Sequence, residues 1–221
     1  MKRLTYLANK CGTDKGTVFG PQHGFTEIYD DYFQKIADNC YSNNRKVNIL
    51  EIGVLDGESL QTYNRFFDKN CEIYGIDIDD CTKHSSSNIH IDICDQGNRS
   101  ELEDFLKRNN NIKFDIIIDD GCHRSKEQLI TLSSLHKSLS KNGIYIIEDL
   151  HTSLDEEYGH TKTENNTLYY LTFGKPSIFL TEEENNELKE NIKNVIIFYN
   201  KNKMNSSFSN KSITSIITFE N

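Results

Sequence analysis

The chain reads as an α/β fold built on a mostly parallel sheet with helices on both faces. Three observations carry that reading. Short β-branched runs rich in Ile alternate with stretches of helical period from Lys46 to Glu148. The runs are almost continuous in apolar residues, as strands buried on both faces are. The first run ends in a glycine turn that opens a helix, Glu51-Ile-Gly53-Val-Leu-Asp-Gly57. Strands that alternate with helices in this way stack into a parallel sheet covered on both sides.

The elements follow in order. The N-terminal segment holds a loop, CGTDKGT at 11–17, and a helix over about 26–37. Residues 46–53 form the first strand, and 58–67 a helix with Leu60, Tyr63, Phe66 and Phe67 on one face. Strands follow at 72–77 and 88–93, then a helix at about 98–108. The fourth strand is 114–119, with a helix over 125–138 behind it, and the fifth is 143–148. The rhythm then changes: 150–192 is polar, with helical pieces around 164–173 and 181–192. A sixth strand spans 194–199, and the last, 212–219, is expected to run antiparallel at the end of the sheet. No internal repeat and no Pro/Gly/Ser linker interrupts the chain, so 1–221 reads as a single domain.

Composition narrows the function. Of 221 residues, 36% are hydrophobic and 27% charged, a soluble globular balance. The 25 basic against 34 acidic side chains leave a formal charge of −9, which excludes a general binder of nucleic acid or anionic membrane. No apolar run approaches the roughly 18–20 residues of a membrane span, and the basic start carries too short an apolar stretch for a leader. The expected compartment is the cytoplasm. There the six cysteines, which form no C-x-x-C pair, are read as free thiols.

In open α/β sheets ligands bind at the carboxyl ends of the strands. The first strand ends in Glu51, Gly53, Gly57 and Ser59, a pattern E-x-G-x-x-x-G in which Leu55 stands where the dinucleotide fingerprint has its second glycine. That disfavours an NAD-dependent oxidoreductase. Asp77 ends the second strand, roughly 20 residues beyond the glycine turn, where a carboxylate accepts ribose hydroxyls; the alternative is a solvated strand end. Asp95 and Gln96 follow the third strand, placed for an adenine edge. The fourth strand ends Asp119-Asp120-Gly-Cys-His123 and the fifth Glu148-Asp149-Leu-His151. If these two loops are neighbours, Asp120, Glu148 and Asp149 converge and need a cation, with Mg²⁺, Ca²⁺ or Mn²⁺ suited to oxygen donors. His123 is then within reach as a general base. The competing account makes Asp120 a helix cap and the other acids surface groups. His23 and His151 stand open between pocket and core.

Taken together, CGTDKGT with HGFTEIYDDYF, ILEIGVLDGESL, YGIDID, DIIIDDGCH and GIYIIEDLHTS resemble class I S-adenosylmethionine-dependent methyltransferases. The closer resemblance is to sugar O-methyltransferases of the mycinamicin VI 2''-O-methyltransferase and macrocin O-methyltransferase type. It spans residues 11–153, about two-thirds of the chain. The resemblance implies a Rossmann-like seven-stranded sheet with an antiparallel last strand, and metal-dependent methyl transfer to a sugar hydroxyl. It divides the domain into a cofactor-closing segment (1–45), a cofactor-binding core (46–149) and substrate-side helices with the final strands (150–221). It puts Glu51, Gly53, Gly57 and Ser59 around the methionine portion of the cofactor, Asp77 on the ribose and Asp95 with Gln96 at the adenine. Asp119 is grouped with these. Thr13 and Lys15 sit on the closing loop, with Lys15 facing the cofactor carboxylate. Asp120, Glu148 and Asp149 match the Mg²⁺ (or Mn²⁺) ligands and His123 the base.

The acceptor expected is a nucleotide-linked sugar or heptose for a surface polysaccharide, with Arg124 and Lys126 as candidates for its diphosphate. The alternatives are a small phenol, an antibiotic intermediate, or a cofactor-binding protein without turnover. Related enzymes self-associate, which implies a dimer or larger. Two departures stand out: Cys122 replaces a Ser, and Leu154 an aromatic.

Overall fold

The computed structural model describes residues 1–155, 158, 165–199 and 212–220. Its helices and strands are, in chain order, α1 (Arg3–Cys11), α2 (Phe25–Ser42), β1 (Val47–Ile52), α3 (Glu58–Phe66), β2 (Cys71–Asp77), β3 (Ile89–Ile93), α4 (Arg99–Arg108), β4 (Phe114–Asp119), α5 (Ser125–Leu135), β5 (Leu139–Ile147), α6 (Thr167–Phe173), α7 (Glu182–Asn191), β6 (Ile192–Tyr199) and β7 (Ile213–Phe219). The seven strands form one sheet in the order β3-β2-β1-β4-β5-β7-β6. β1 to β5 pair in parallel, and β7 runs antiparallel between β5 and β6. The expected sheet with its antiparallel last strand is what the chain forms.

The apolar strands bury both faces. On one face α1, α2 and α3 pack Leu4, Tyr29, Phe33, Tyr63 and Phe67 against Ile49, Ile73, Ile116 and Ile146. On the other, Leu102, Phe105, Leu129, Leu132 and Leu188 from α4, α5 and α7 cover Leu50, Phe114, Ile117 and Tyr145. Each fully buried side chain of this size contributes about 1.5–3 kcal/mol of transfer free energy. The helix starts follow from local chemistry. Asn98 caps α4 by accepting from the Ser100 and Glu101 amides, and Thr181 with Glu184 closes a capping box on α7.

Below the sheet, at its amino end, the nearly buried Asp115 accepts a forked pair of bonds from Arg45 at 2.7 and 2.8 Å, one from the Asn48 amide and one from Ser140 Oγ. This closes the side opposite the strand carboxyl ends.

The differences from the sequence reading are local. α1 was not anticipated. α2 runs to Ser42, and β5 begins at Leu139 rather than at 143. Residues 159–164, which include the loop histidine His160 and the expected helix start at 164, lie outside the described residues. All six cysteines are free thiols. Among the described residues no helix is long and apolar enough to cross a membrane.

Candidate functional site

The chain leaves β1 outward through β2 and β3, then returns to β4 on the other side of β1. That reversal is the topological switch point, and it opens a crevice above the strand ends. Register aligns those ends: Ile52 lies beside Asp119, and Asp119 beside Ile147. Main-chain bonds carry the ladder one residue further, from Gly53 N to Ile76 O, from Asp120 N to Ile52 O and from Glu148 N to Asp119 O. The residues just past the strands are thereby fixed side by side. A cavity of about 950 Å³ occupies the crevice. Its wall includes Thr13, Lys15, Gly53, Ser59, Asp77, Asp95, Gln96, Asp120, His123 and Asp149. Glu51 and Glu148 are buried against Lys15 and Asp119 against Gln96, all three behind wall residues, and Gly57 is the N-cap of α3.

Gly53 is required by geometry. Its φ is +88°, and a Cβ there would run into the main-chain carbonyl of Asp120. Only glycine lets the turn after β1 lie against the loop after β4. Asp77 then clasps this turn: Oδ2 accepts from the Val54 and Leu55 amides at 2.7 and 3.1 Å, and Oδ1 from the Asp79 amide at 3.0 Å. Partial burial pushes its carboxyl up, but these bonds and the Cys81 thiol outweigh it and hold Asp77 below the usual carboxylate range.

The Gln96 amide is engaged inside the protein. Nε2 donates to Asp119 Oδ1 at 3.1 Å and to Thr131 Oγ1 at 3.2 Å, and Oε1 accepts from the Cys122 amide at 2.8 Å. Gln96 therefore shapes the wall and ties the loops after β3 and β4 together.

Two carboxyls behind the wall are pushed up to about 7 by burial. Glu51 is one, although it accepts from Ser59 Oγ and Tyr63 OH and lies 3.6 Å from the Lys15 ammonium. Asp119 is the other, with Oδ2 lacking any hydrogen-bond partner. Folded Asp119 holds a proton that the unfolded chain releases near pH 4. Its contribution to stability is fully present below about pH 4 and is lost as the pH rises through about 7. Asp119→Asn is neutral at every pH. The variant is expected to match the wild type near pH 4.5 and to exceed it by about 2–4 kcal/mol at pH 8 in urea unfolding. Equal destabilisation at both pH values would show that the ionised carboxyl is not the source of strain.

Asp120, Glu148 and Asp149 do converge. The convergence includes a fourth element, the loop before α2, which delivers Lys15. Its ammonium donates to Glu148 Oε2 at 2.6 Å and contacts Asp120 Oδ2. Its side chain is only 3% exposed. It thus faces the acids, where the sequence reading had it facing a cofactor carboxylate. Asp120 does not cap α5, whose N-cap is Arg124.

Asp149 is ringed by imidazoles: His151 Nδ1 at 3.6 Å and His23 Nδ1 at 3.7 Å from Oδ1, and His123 Nε2 at 3.7 Å from Oδ2. His23 stacks on Phe25 and bonds Ser212 Oγ, which places it in the layer behind Asp149. Asp149 and His123 both hold φ above +50°, a conformation that costs of order 1–3 kcal/mol in non-glycine residues and collects at functional sites. Sequence reasoning did not single out Asp14 or Tyr158, which also line the cavity. Tyr158 lies edge-on to the His123 ring at 6.5 Å.

The cluster suits a cation. Among the described residues, Glu51, Asp120, Glu148 and Asp149 face a single ammonium, that of Lys15. Burial, with Asp120 nearby, pushes Glu148 and Asp149 well above the usual carboxylate range. Glu148 Oε1, Asp149 Oδ1 and His123 Nδ1 are buried without a hydrogen-bond partner among the described residues. One ligand atom from each of Asp120, His123 and Asp149 lies within 4.8 Å of the others. Oxygen donors with one imidazole fit Mg²⁺ or Mn²⁺.

No family model matches the chain. It is similar to 8-demethyl-8-alpha-L-rhamnosyl tetracenomycin-C 2'-O-methyltransferase of Streptomyces olivaceus, with 33% identity over 157 residues, 68% of this chain and 38% of that protein. Demethylmacrocin O-methyltransferase of Streptomyces fradiae and mycinamicin VI 2''-O-methyltransferase of Micromonospora griseorubida are each 31% identical over 163 residues, 71% of this chain and 38% of theirs. The match thus spans about two-fifths of the length of these relatives. Among solved structures, the MycE methyltransferase of the mycinamycin pathway in complex with Mg and SAH superposes with a TM-score of 0.76 at 25% identity, covering 99% of this chain and 55% of that one. An O-methyltransferase from Bacillus cereus in complex with SAH shares the fold at a TM-score of 0.56 and 13% identity, covering 99% of this chain and 89% of that one. The relatives bear out the resemblance to sugar O-methyltransferases, and the solved structures bear out the fold.

Proposed function

We propose that the protein is an S-adenosylmethionine-dependent O-methyltransferase acting on a sugar hydroxyl. The observation that carries this is the cavity at the switch point with Asp120, His123 and Asp149 gathered in its wall. S-adenosylmethionine supplies the methyl group, and a divalent ion held by Asp120, Glu148 and Asp149 supplies Lewis acidity at the acceptor oxygen.

The chain's own groups do the remainder. Gly53 clears space for close approach of a ligand to the main chain. Thr13, Ser59, Asp77, Asp95 and Gln96 line the cofactor's share of the cavity, and Glu51, Gly57 and Asp119 brace it from behind. His123 takes the acceptor proton; imidazole is a competent base near neutral pH. Holding both substrates in line is worth several kcal/mol, about 7–11 at best.

For the acceptor we favour a nucleotide-linked sugar or heptose of a surface polysaccharide. Arg124, exposed in the cavity wall, and Lys126, exposed two residues on, are the cations proposed for its diphosphate. The names of the relatives favour a second reading, a sugar already attached to an antibiotic intermediate. The proposed setting is the cytoplasm, with self-association into a dimer or larger.

Calorimetric titration with S-adenosylhomocysteine tests the root of this reading, with NAD as the parallel ligand. Saturable micromolar binding of the first and none of the second is expected. A folded sample that binds neither overturns the methyltransferase reading. Mg²⁺-dependent methylation assays with sugar nucleotides and with neutral glycosides then separate the two acceptor classes.

A further inference from the structure

The loop that delivers Lys15 is fastened on both sides of that residue. The Lys15 carbonyl accepts from both the amide and the hydroxyl of Thr26, at 3.2 and 3.1 Å. The Asp14 carbonyl accepts from the His23 amide, and the Gly16 carbonyl from the Gly24 amide. Thr17 and Asn9 exchange two further bonds that tie the loop to α1. Lys15 is therefore anchored through its main chain to α2, with its ammonium buried among the acids. It takes one oxygen from each of two acids, Oδ2 of Asp120 and Oε2 of Glu148. Oδ1 of Asp120 and the buried, unpartnered Oε1 of Glu148 are what remain.

We propose that Lys15 is a positioning residue that sets which divalent ion this cluster accepts, by restricting Asp120 and Glu148 to one donor oxygen each. The inference rests on the ion site of the proposed function. A carboxylate with one oxygen held by an ammonium meets an ion through the other oxygen alone. Mg²⁺ is small, six-coordinate and content with single oxygens and water. Ca²⁺ takes six to eight oxygens and commonly recruits carboxylates in bidentate fashion. Denying two carboxylates that mode leaves the site short of oxygens for the larger ion. The ammonium also opposes any cation beside it, so ion affinity as a whole is moderated.

The test reads ion binding rather than turnover. Mn²⁺ bound to the full chain is followed by electron paramagnetic resonance and displaced with MgCl₂ or CaCl₂. The wild type is expected to favour Mg²⁺ over Ca²⁺ by at least about tenfold. Lys15→Met keeps the buried aliphatic stem and frees both oxygens. It is expected to bind Mn²⁺ more tightly and to shift the Ca²⁺/Mg²⁺ ratio toward Ca²⁺ by about tenfold or more. Lys15→Arg, which keeps a charged donor on the same oxygens, should hold the wild-type ratio within about threefold.

An unchanged ratio in folded Lys15→Met overturns the proposal. Should that variant fail to fold, the wild type alone decides, since a preference for Ca²⁺ overturns the proposal without any variant. Hydrogen exchange adds a third check. Loosening of residues 13–24 when Mg²⁺ binds would mean that the ion expels Lys15, which also overturns it. A wild type that binds S-adenosylhomocysteine but none of the three ions instead refutes the ion site itself.

Discussion

Asp120→Asn is expected to weaken divalent-ion binding and turnover together, while affinity for S-adenosylhomocysteine in the absence of metal stays within about threefold of wild type. Asp120 is the one side chain that both meets Lys15 and belongs to the three-residue ion cluster. Asparagine preserves its size and leaves a carbonyl oxygen for the ammonium, but it removes a full negative charge from the cluster. Mn²⁺ affinity is expected to fall by about a hundredfold or more, roughly 2.7 kcal/mol. The fall in turnover should be larger, on the order of a thousandfold, because Lewis-acid help is worth several kcal/mol in the transition state. The fold should survive, since the main chain at residue 120 is held by the hydrogen bond from its N–H to the Ile52 carbonyl, which asparagine keeps. Wild-type turnover that persists in excess chelator would end the metal-dependent reading.

The fold was legible where side-chain period alone determines structure. β4 centres on three consecutive isoleucines, Ile116 to Ile118, and its observed bounds are those read from the chain. The approach of the β4 and β5 ends was legible too, because short crossover units place consecutive parallel strands side by side. What was not legible depends on partners distant in sequence. α1 buries Leu4 and Ala8 one turn apart and ends at Gly12 with φ +96°, a signal present in the sequence but masked by its lysines and its likeness to a leader. β5 starts early because Ser140-Lys-Asn-Gly143, which reads as a turn, is drawn into the sheet through a register shift between Phe114 and Ile116. Lys15 meets acids 105 and 133 positions away, so no local pattern could show that it neutralises them. The same holds for His23, which only the packing of the loop before α2 on the loop after β5 brings to Asp149, whereas His151 reaches Asp149 from within its own loop. The bonds that the Gln96 amide makes to Asp119, Thr131 and Cys122 are likewise invisible in the sequence, because all three partners lie on other elements.

His123→Ala is the second large effect expected, and its two readouts divide the roles available to this residue. His123 sits on the loop after β4 with φ +57°, its Nε2 3.7 Å from Asp149 Oδ2 and its Nδ1 buried without a partner. From there the ring can accept a proton from a hydroxyl bound beside Asp120 and Asp149, or it can itself ligate the ion. As a base it contributes a factor of about 10²–10⁴ to turnover, and its loss should leave both S-adenosylhomocysteine and Mn²⁺ affinity within about tenfold of wild type. Added imidazole should restore part of the rate if the space left beside Tyr158 admits it. A ligand role predicts a different pattern: Mn²⁺ affinity and turnover fall together, and imidazole restores both. A variant that keeps near-normal turnover removes His123 from either role. The αL backbone at residue 123 would then need another explanation, because a strained conformation persists only where the surrounding structure enforces it.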